Sequence, residues 1–544
     1  MRGSAGFLRG VMFILFCFFS CFVQADDAEF AAALEGLKQK SFTEKAKVIA
    51  QLESIDDERV LKVFKYMLQG DLYFQDSPPG NMVFADAAKD GFAVTDVVSG
   101  ESLGVVGKRD VEKVRVNNRL RGLLRSAIAK LSLNNKNPEV RRAAVRDTFR
   151  NMDTGTVALL RERLALEEAG KVRDVLEVGI AMYEIKSDDQ AVKLQAIEVL
   201  GGSLEPQARA ALLSQVAKDE HGEYLIEDRE IREAAARSIA HIDNKLTYNS
   251  WAETLYFGLS LGSVLLLAAI GLAITFGVMG VINMAHGELI MIGAYTTYVI
   301  QLLMPNHIEY SLFVAIPAAF IIAGLVGIAI ERGVIRFLYG RPLETLLATF
   351  GVSLILQQLV RTVFSPLNRS VETPDWMSGT FEVNSALMLT YNRLYIIIFS
   401  LMVFVALLMV LKKTSLGLHV RAVSQNRSMA RAMGIRSGWV DAMTFGLGSG
   451  IAGIAGVALS QLTNVGPNMG QAYIIDSFMV VVFGGVGNLW GTLVAAMSLG
   501  VINKILEPWA GAVLAKILVL IFIILFIQKR PRGLFPQRGR AAEH

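Results

Sequence analysis

A glycine-broken apolar stretch, residues 271–295, limits the folds open to this chain more than any other feature. It reads GLAITFGVMGVINMAHGELIMIGAY and lies within a mostly apolar half, residues 251–528, with Asn283, His286 and Glu288 near its middle. Ionisable side chains are expensive at membrane depth and usually face a bundle interior or a water-filled cavity. Glycine-interrupted helices are typical of transporters. We therefore interpret the stretch as the lining of a solute pathway.

The distribution of charge divides the chain into a soluble part and an embedded part. Charged residues make up 19% of the 544 residues, below the roughly 25% of soluble proteins. They are concentrated in residues 26–250, whereas residues 251–528 contain few of them. At least two domains follow from this division.

The first 25 residues are typical of a secretory signal peptide. Arg2 and Arg9 precede a short apolar core that ends before Ala25, and this core is shorter than the ~20 residues of a spanning helix. We expect cleavage after Ala25, with a retained signal anchor as the alternative. The only cysteines, Cys17 and Cys21, lie in this segment, and acylation of Cys21 is a further alternative. Cleavage would leave a mature chain that cannot form a disulfide.

Residues 26–248 predict an exported, mainly helical domain with a small β insertion near 71–110. Three similar segments, at 139–145, 191–197 and 230–236, lie in stretches with a helical pattern. Each has an apolar residue, a basic residue and an alanine at corresponding positions. Their spacing resembles that of HEAT-type helix pairs, which repeat every ~40–47 residues. A generic helical bundle is the alternative. Within the insertion, the β-branched run from 92 to 106 predicts a hairpin.

Residues 251–530 predict a membrane domain of the all-α class, a polytopic bundle of about eight to ten spans with broken helices. Its seventh and eighth segments are short and could form one re-entrant element. The apolar segments between polar breaks are 255–277, 284–304, 311–331, 343–363, 394–411, 440–461, 472–487, 490–506 and 511–528.

Lysine and arginine placement predicts the orientation of these segments. Three arginines lie between 332 and 341, six basic residues lie between 412 and 436, and five follow residue 528. Loops rich in positive charge stay in the cytoplasm, so these loops and the tail 531–544 are expected there. An odd number of spans then places residue 250 outside, which agrees with an exported domain. We expect a multi-pass protein of the bacterial inner membrane with a periplasmic N-terminal domain.

The candidate pathway residues fall in two groups. The first group consists of Gly280, Asn283, His286, Gly287 and Glu288. Asn283 would cap a half-helix that presents its positive end to a polar solute. His286 and Glu288 would position the broken helix. The second group, Asp476, Gly485 and Asn488, surrounds another glycine-rich break. The alternatives are local capping, helix-end polar groups and close glycine packing. Zinc is not expected, because His286-Gly287-Glu288 lacks the second histidine of H-E-x-x-H.

Two motifs bear on an energy source. The basic loop 412–436 has a helical apolar period and predicts a short amphipathic helix that ends at Gly434, which docks on a partner or lies on anionic lipid. The pair Gly107-Lys108 lacks the leading glycine and the following hydroxyl of a nucleotide-binding loop. ATP, if used, is therefore expected to be hydrolysed by another chain.

Three motifs resemble the branched-chain amino acid permease family of ABC importers, namely VINMAHGELIMIGAY, RAVSQNRSMARAMGI and FGGVGNLWGT. The resemblance covers residues 250–535 and is strongest to the urea-transport members of that family. It implies four partners, which are a second permease of similar fold, two cytoplasmic ATP-binding subunits and a periplasmic substrate-binding protein. It also implies that the loop 412–436 is the coupling helix, with Arg421, Ala430, Met433, Gly434 and Ile435 at the contact with an ATPase.

The resulting expectation is a permease subunit that passes a small neutral polar solute, most simply urea, inward by alternating access. A branched-chain amino acid or a short amide is the alternative within the class, although a zwitterion would favour paired fixed charges in the path. A passive urea or amide channel with a scaffold domain is the alternative from another class. We expect lipid contact but no catalytic residue, cofactor or nucleic-acid partner.

Overall fold

The fold is that of a computed structural model, which describes residues 30–55, 57–75, 80–88, 91–107, 109–150 and 152–535. The predicted signal peptide and most of the predicted tail lie outside these residues. The chain forms two compact units that divide between Asp243 and Asn244. Both units are mainly helical, as the sequence predicts.

The N-terminal unit begins with helices that pack on a sheet. Helices α1 (Phe42–Glu53), α2 (Glu58–Gln69) and α3 (Asn118–Leu133) surround a buried apolar core that includes Phe64 and Leu120. Each helix begins at a polar residue whose side chain accepts a backbone N–H bond, because Ser, Asp and Asn satisfy amides left free in the first turn. These capping residues are Ser41, Asp57 and Asn117.

The β insertion is larger than the single hairpin that the sequence predicts. The strands β1 (Leu72–Gln75), β2 (Met82–Ala88), β3 (Gly91–Asp96), β4 (Ser102–Val106) and β5 (Val111–Lys113) form one antiparallel sheet in the order β4-β3-β2-β1-β5. The predicted hairpin is confirmed as β3 and β4. The β-branched run that identified it ends at Val106, so the short outer strand β5 lay beyond the predicted segment.

Five helices follow, and a repeated arginine contact is visible among their turns. They are α4 (Pro138–Thr148), α5 (Thr154–Leu166), α6 (Gly170–Glu184), α7 (Gln190–Gly202) and α8 (Pro206–Gln215). Arg141 and Arg173, each at the fourth position of its helix, donate to the carbonyl oxygen six residues earlier. Arg232 does the same at the fourth position of a later helix. Arg141, Arg173 and Arg232 therefore occupy equivalent positions in their helices. The HEAT-type pairing of these helices stays a prediction.

Glu167 joins α4, α5 and the turn before α6. Its carboxylate receives a two-pronged hydrogen bond from Arg141, at 2.7 Å for both pairs of atoms, and further bonds from Arg163 and the Ala169 amide. The bond from Arg141 lowers the pKa of Glu167 to about 2, although burial opposes this shift. The ionised carboxylate is therefore a stabilising element of the N-terminal unit.

The second unit contains helices that account for all nine predicted segments. They are α9 (Arg229–Met279, whose first turns belong to the N-terminal unit), α10 (His286–Leu303), α11 (Ile308–Gly333), α12 (Pro342–Phe364), α13 (Tyr391–Lys413), α14 (Ser415–Gln425), α15 (Arg427–Ala432), α16 (Ser437–Ser460), α17 (Met469–Gly484) and α18 (Leu489–Lys529). A hairpin of β6 (Thr380–Asn384) and β7 (Leu387–Thr390) precedes α13. Within the described residues, six helices are long and apolar enough to cross a membrane, namely α9, α11, α12, α13, α16 and α18.

The short predicted segments resolve into separate helices. The predicted seventh and eighth spans are α17 and the first half of α18 rather than one re-entrant element. The eighth and ninth segments form one helical run that bends at Gly511, where φ is 78° and ψ is 160°. Only glycine adopts this backbone conformation without strain, and Pro508 further weakens the helix just before it.

Glycine residues let α16 pack closely against three neighbouring helices. A Cβ on Gly448 would lie 2.6 Å from the Gly271 carbonyl oxygen of α9, and one on Gly453 would lie 2.6 Å from the Ala319 oxygen of α11. A Cβ on Gly456 would collide with the backbone of α10. Small residues let membrane helices approach this closely. The helix α16 is the most enclosed of the six spanning helices.

Candidate functional site

The helix α10 begins deep within the bundle. The preceding helix α9 ends at Met279, and the chain then runs without regular structure from Gly280, where φ is +65°. The first residue of α10, His286, lies 2.8 Å through its Nε2 from the Ala268 carbonyl oxygen. Ala268 precedes the end of α9 by about three turns, or ~16 Å. The chain therefore turns back into the bundle before α10 starts.

Asn283 supports this turn but does not cap the helix. The prediction that it is the N-cap is wrong, because Ala285 holds that position and no side chain caps the helix. The Oδ1 atom of Asn283 instead accepts from the Ala285 amide at 3.0 Å. Asparagine often bonds the backbone two residues onward, and here this contact closes the last turn before α10.

His286 and Glu288 face different helices, as their spacing predicts. His286 contacts α9, whereas Glu288 faces α12 and accepts from Ser353 Oγ at 3.0 Å and from Gln357 Nε2 at 2.7 Å. The Glu288 side chain is buried, with only 1% of the residue exposed. Its surroundings are therefore protein, and its carboxyl group is held by α12.

Four buried polar atoms near the break have no partner within the part of the chain that the structure describes. They are Asn283 Nδ2, His286 Nδ1, Glu288 Oε2 and Tyr295 OH. Buried polar groups are hydrogen-bonded in the large majority of cases. These open donors and acceptors lie before and along α10 on more than one of its faces, and each is chemically suited to a polar guest.

A polar stripe runs along α12 and was not among the predicted site residues. Thr345, Thr349, Ser353 and Gln357 recur at every fourth position and are buried, while the leucines and isoleucine on the other face are exposed. A four-residue spacing places side chains on one face of a helix. The Met284 amide donates to Thr349 Oγ1 at 3.1 Å. The stripe therefore runs along α10 and along the segment just before it. The spacing itself was the signal that could have revealed it.

The two predicted pathway glycines near the break have different roles. A Cβ on Gly287 would collide with the backbone of Gly470, so this glycine permits a close crossing of α10 and α17. Gly280 is exposed and has open space around it, but its positive φ is a conformation that favours glycine. One glycine therefore serves packing and the other serves the backbone turn.

The second predicted group lies on other contacts. Asp476 is buried and pairs with Lys516 at 3.0 Å, which joins α17 to the second half of α18. Asn488 caps α18 by accepting from the Trp490 and Gly491 amides, and its Nδ2 donates to the Phe535 oxygen. Neither Asp476 nor Asn488 makes these bonds to a residue of the first candidate group. Lys516, within an apolar segment, was missed by the sequence analysis.

Gly485 belongs to the same turn as Asn488. Its φ is +104°, and a Cβ there would lie 2.6 Å from the Phe535 oxygen. The amides of Leu534 and Phe535 donate to Phe483 and Gly484. The segment after α18 thus folds back onto the turn between α17 and α18, and Gly485 permits that contact.

The predicted single coupling helix is two short helices. The helices α14 and α15 meet at Asn426, whose extended backbone and side-chain bond to the Met429 amide start a new helix. Gly434 has φ of +87° and ends this region, and the Ile435 amide donates to the Ala430 oxygen. Such a contact after a left-handed glycine is a common helix termination. The prediction that the helical region ends at Gly434 agrees with this geometry.

The predicted coupling residues are exposed to different extents. Ala430 is buried and packs with Val420 and Val423, whereas Met433 is 77% exposed. Arg421 is also exposed, and its guanidinium donates to the Leu411 oxygen at the end of α13. Met433 therefore presents an apolar side chain at the surface beside Gly434, and Met429 in α15 is also exposed.

A basic groove lies beside this exposed end. Its volume is about 750 Å³, and its lining includes the arginines at 332, 431 and 436 together with Trp439. In the same helix as Arg431, Arg427 pairs with the buried Asp441 and lies 3.9 Å from the ring centre of Tyr339. The groove thus combines positive charge with an aromatic side chain.

Comparison with known proteins supports a transport role. Residues 254–527 match the family described as the branched-chain amino acid transport system / permease component. The permease LivH of Salmonella typhimurium, named for high-affinity branched-chain amino acid transport, is 31% identical over 293 residues, which are 52% of this chain and 94% of LivH. LivH of Escherichia coli K12 is 30% identical over 292 residues with the same shares. BraD of Pseudomonas aeruginosa, named likewise, is 28% identical over 294 residues, 52% of this chain and 95% of BraD.

These relatives are transport permeases rather than enzymes. Their length is almost fully covered by the match, so they have no room for a counterpart of the N-terminal unit. No solved structure shows significant similarity. Together with six apolar helices, the relatives make this a multi-pass membrane protein. The match over half of its length shows that the chain belongs to the branched-chain amino acid transport permease family.

Proposed function

We propose that this chain is the membrane-spanning permease subunit of an ATP-driven importer in the bacterial inner membrane and that its solute is a branched-chain amino acid. The observation that carries the proposal is the match of residues 254–527 to the permease component. The solute named for LivH and BraD is the basis for the amino acid. The N-terminal unit is proposed to lie in the periplasm and the segment after α18 in the cytoplasm, because the basic loops favour that orientation.

The buried polar groups around α10 support passage of a polar solute. Asn283, His286 and Glu288 lie where the chain turns back into the bundle, and each retains an atom without a partner among the described residues. Polar groups at membrane depth mark substrate routes in many transporters. We assign the first candidate group to this route, with Gly280 and Gly287 as the glycines that shape it.

Asp476 and Lys516 are opposite fixed charges within the membrane domain, and they pair with each other at 3.0 Å. Because each already has its partner and neither bonds to the first candidate group, the pair is not counted as a binding site for a zwitterion. The preference for an amino acid over urea therefore rests on the solute named for LivH and BraD.

Urea is the second candidate solute, and the N-terminal unit is the observation that favours it. The amino acid permeases have no room for such a unit, so this chain has a feature that their solute does not require. The sequence motifs around α10 and α17 also most resemble urea-transport members. The two solutes share N–H donors and an acceptor oxygen.

Coupling to ATP hydrolysis is assigned to α14, α15 and the turn at Gly434. Exposed Met433 and the adjacent basic groove form a surface suited to a cytoplasmic ATPase that carries acidic groups. Two such subunits, a second permease and a periplasmic binding protein complete the proposed importer. A passive channel would need no such docking surface.

Uptake of labelled leucine and labelled urea tests the proposal in a strain that lacks this gene and in the same strain with the gene restored. We expect restored, ATP-dependent leucine uptake. Restored urea uptake without leucine uptake would replace the amino acid with the second candidate. Charged substitutions at Met433 and Gly434 should abolish the restored uptake, and unchanged uptake in M433E/G434E would contradict an importer.

A further inference from the structure

The contact between α10 and the polar stripe of α12 is built from hydrogen bonds. We define the α10–α12 seam as Met284, Glu288, Thr349, Ser353 and Gln357. The Met284 amide bonds Thr349 Oγ1 at 3.1 Å, and Glu288 Oε1 accepts from Ser353 Oγ at 3.0 Å and from Gln357 Nε2 at 2.7 Å. All three side chains from α12 are buried. The seam therefore concentrates polar groups between two helices that could have packed through apolar ones.

A purely structural seam does not account for the open oxygen of Glu288. Its Oε1 receives two donors, while its buried Oε2 has no partner among the described residues. An unsatisfied buried acceptor is destabilising, and replacing both partners by apolar groups would remove that cost. The rest of α12 uses leucine, isoleucine and valine freely. The arrangement is therefore suited to an occupant that satisfies Oε2.

We propose that the α10–α12 seam is a solute-recognition site for a small molecule that carries N–H donors beside a carbonyl or carboxylate oxygen. Glu288 accepts from the N–H group, and the Ser353 hydroxyl and the Gln357 amide turn from Glu288 to donate to the solute oxygen. One acceptor flanked by two donors matches such a molecule. The inference rests on the proposed import function and adds the residues that select the solute.

Two solutes carry this chemistry, and Glu288 separates them. The ammonium group of an amino acid gains a charge-assisted bond from a carboxylate, whereas the amide of urea needs only an acceptor oxygen. The variant Glu288→Gln keeps Oε1 for Ser353 and Gln357 and so preserves the contact between the helices. It removes the charge and places an N–H donor at the position of one oxygen.

Labelling of a single thiol tests the seam in the assembled importer. The sequence has only Cys17 and Cys21, so their replacement gives a cysteine-free background for Ser353→Cys. The probe is N-ethylmaleimide, applied to membrane vesicles with ATP and the partner subunits, with leucine or urea as the protecting solute. A solute at about ten times its Kd occupies the site enough to slow labelling about tenfold. The matched control is Leu347→Cys on the exposed face of the same helix, where no protection is expected.

The outcomes separate this inference from the proposed function. Protection of S353C but not of L347C supports the seam. Normal uptake by S353C overturns it when the thiol is not labelled during transport or when the solute does not slow the labelling. The variant Glu288→Gln is a second test that does not depend on whether S353C folds. If Glu288 binds leucine, the KM for leucine should rise about tenfold at an unchanged maximal rate, as expected for loss of a charge-assisted bond. An unchanged KM for both solutes overturns the inference. Absence of any ATP-driven uptake by the wild-type importer contradicts the proposed function instead.

Discussion

The guanidinium of Arg427, in the short helix α15, pairs with the carboxylate of Asp441, one turn into α16. Asp441 is buried, and Arg427 also lies over the ring of Tyr339. The pair links α15 to the enclosed α16, and the bond of 2.7 Å from Arg431 Nε to Ser437 Oγ is a second polar link between them. A displacement of α15 by a partner would therefore be felt by α16.

Removal of one member of this pair should uncouple transport. Arg427→Ala leaves the Asp441 carboxylate buried without its cation, which costs about 3–5 kcal/mol. We expect lower stability and a large loss of solute-dependent ATPase activity, measured on purified importer. Lys413→Ala, at an exposed position at the end of α13, is the control. Wild-type coupling in R427A would show that the pair transmits nothing.

Gly287 should tolerate no side chain. Because a Cβ there collides with the Gly470 backbone, Gly287→Ala should force α10 and α17 apart and destabilise the protein by about 1–3 kcal/mol. Gly351→Ala is the matched control, since it lies within α12 with open space around it and should be neutral or stabilising by up to ~1 kcal/mol. Thermal unfolding in detergent compares the two. Equal midpoints would contradict the close crossing.

Glu167 should make the N-terminal unit sensitive to acid. Its pKa of about 2, against an ordinary 4.5, means that the ionised form is favoured in the folded state by about 3 kcal/mol. This contribution is complete above pH 4.5 and is lost as the pH falls towards 2. Glu167→Gln should therefore destabilise the unit at pH 7, with a difference from wild type that shrinks as the pH falls below 4.5.

Hydrogen exchange of the amides in α4 to α6 measures this difference at pH 7 and below pH 4.5 in the full-length protein. Glu168→Gln, at the exposed neighbouring position, is the control and should exchange like wild type at each pH. A difference between Glu167→Gln and wild type that is as large at the lowest pH as at pH 7 would refute the assignment.

Asn488 should act as a cap rather than as a pathway residue. Asn488→Ala removes the bonds to the first amides of α18 and should cost ~1 kcal/mol. Asn488→Asp keeps the cap but cannot donate to the Phe535 oxygen, so it isolates the contact with the segment after α18. Thermal midpoints and solute KM are the measurements. A changed KM at an unchanged midpoint in N488A would return this residue to the pathway.

Element positions in the membrane domain were largely predictable, because each apolar segment of about 20 residues has few alternatives to a helix. The break between α9 and α10 was predictable for the same reason, since glycines and polar groups at 280–288 interrupt an otherwise continuous pattern. The exact start of α10 was not, because Asn283 and Ala285 are both compatible with a turn and only the backbone decides between them.

Partners distant in sequence were beyond prediction. Glu288 bonds residues 65 and 69 positions away, and Lys516 lies 40 residues from Asp476. No local pattern contains such pairings. The capping role of Asn488 was not predicted, because asparagine suits both a helix cap and a polar pathway, and the two roles share the same glycine-rich surroundings.

The flat backbone crossings of α16 have a mechanical consequence. At Gly448 and Gly456, α16 meets the backbones of α9 and α10 directly. At Gly450 the ring of Phe320 from α11 fills the space beside the glycine instead. Small sliding shifts therefore meet less steric resistance along α9 and α10 than along α11, where a side chain locks the position of the two helices.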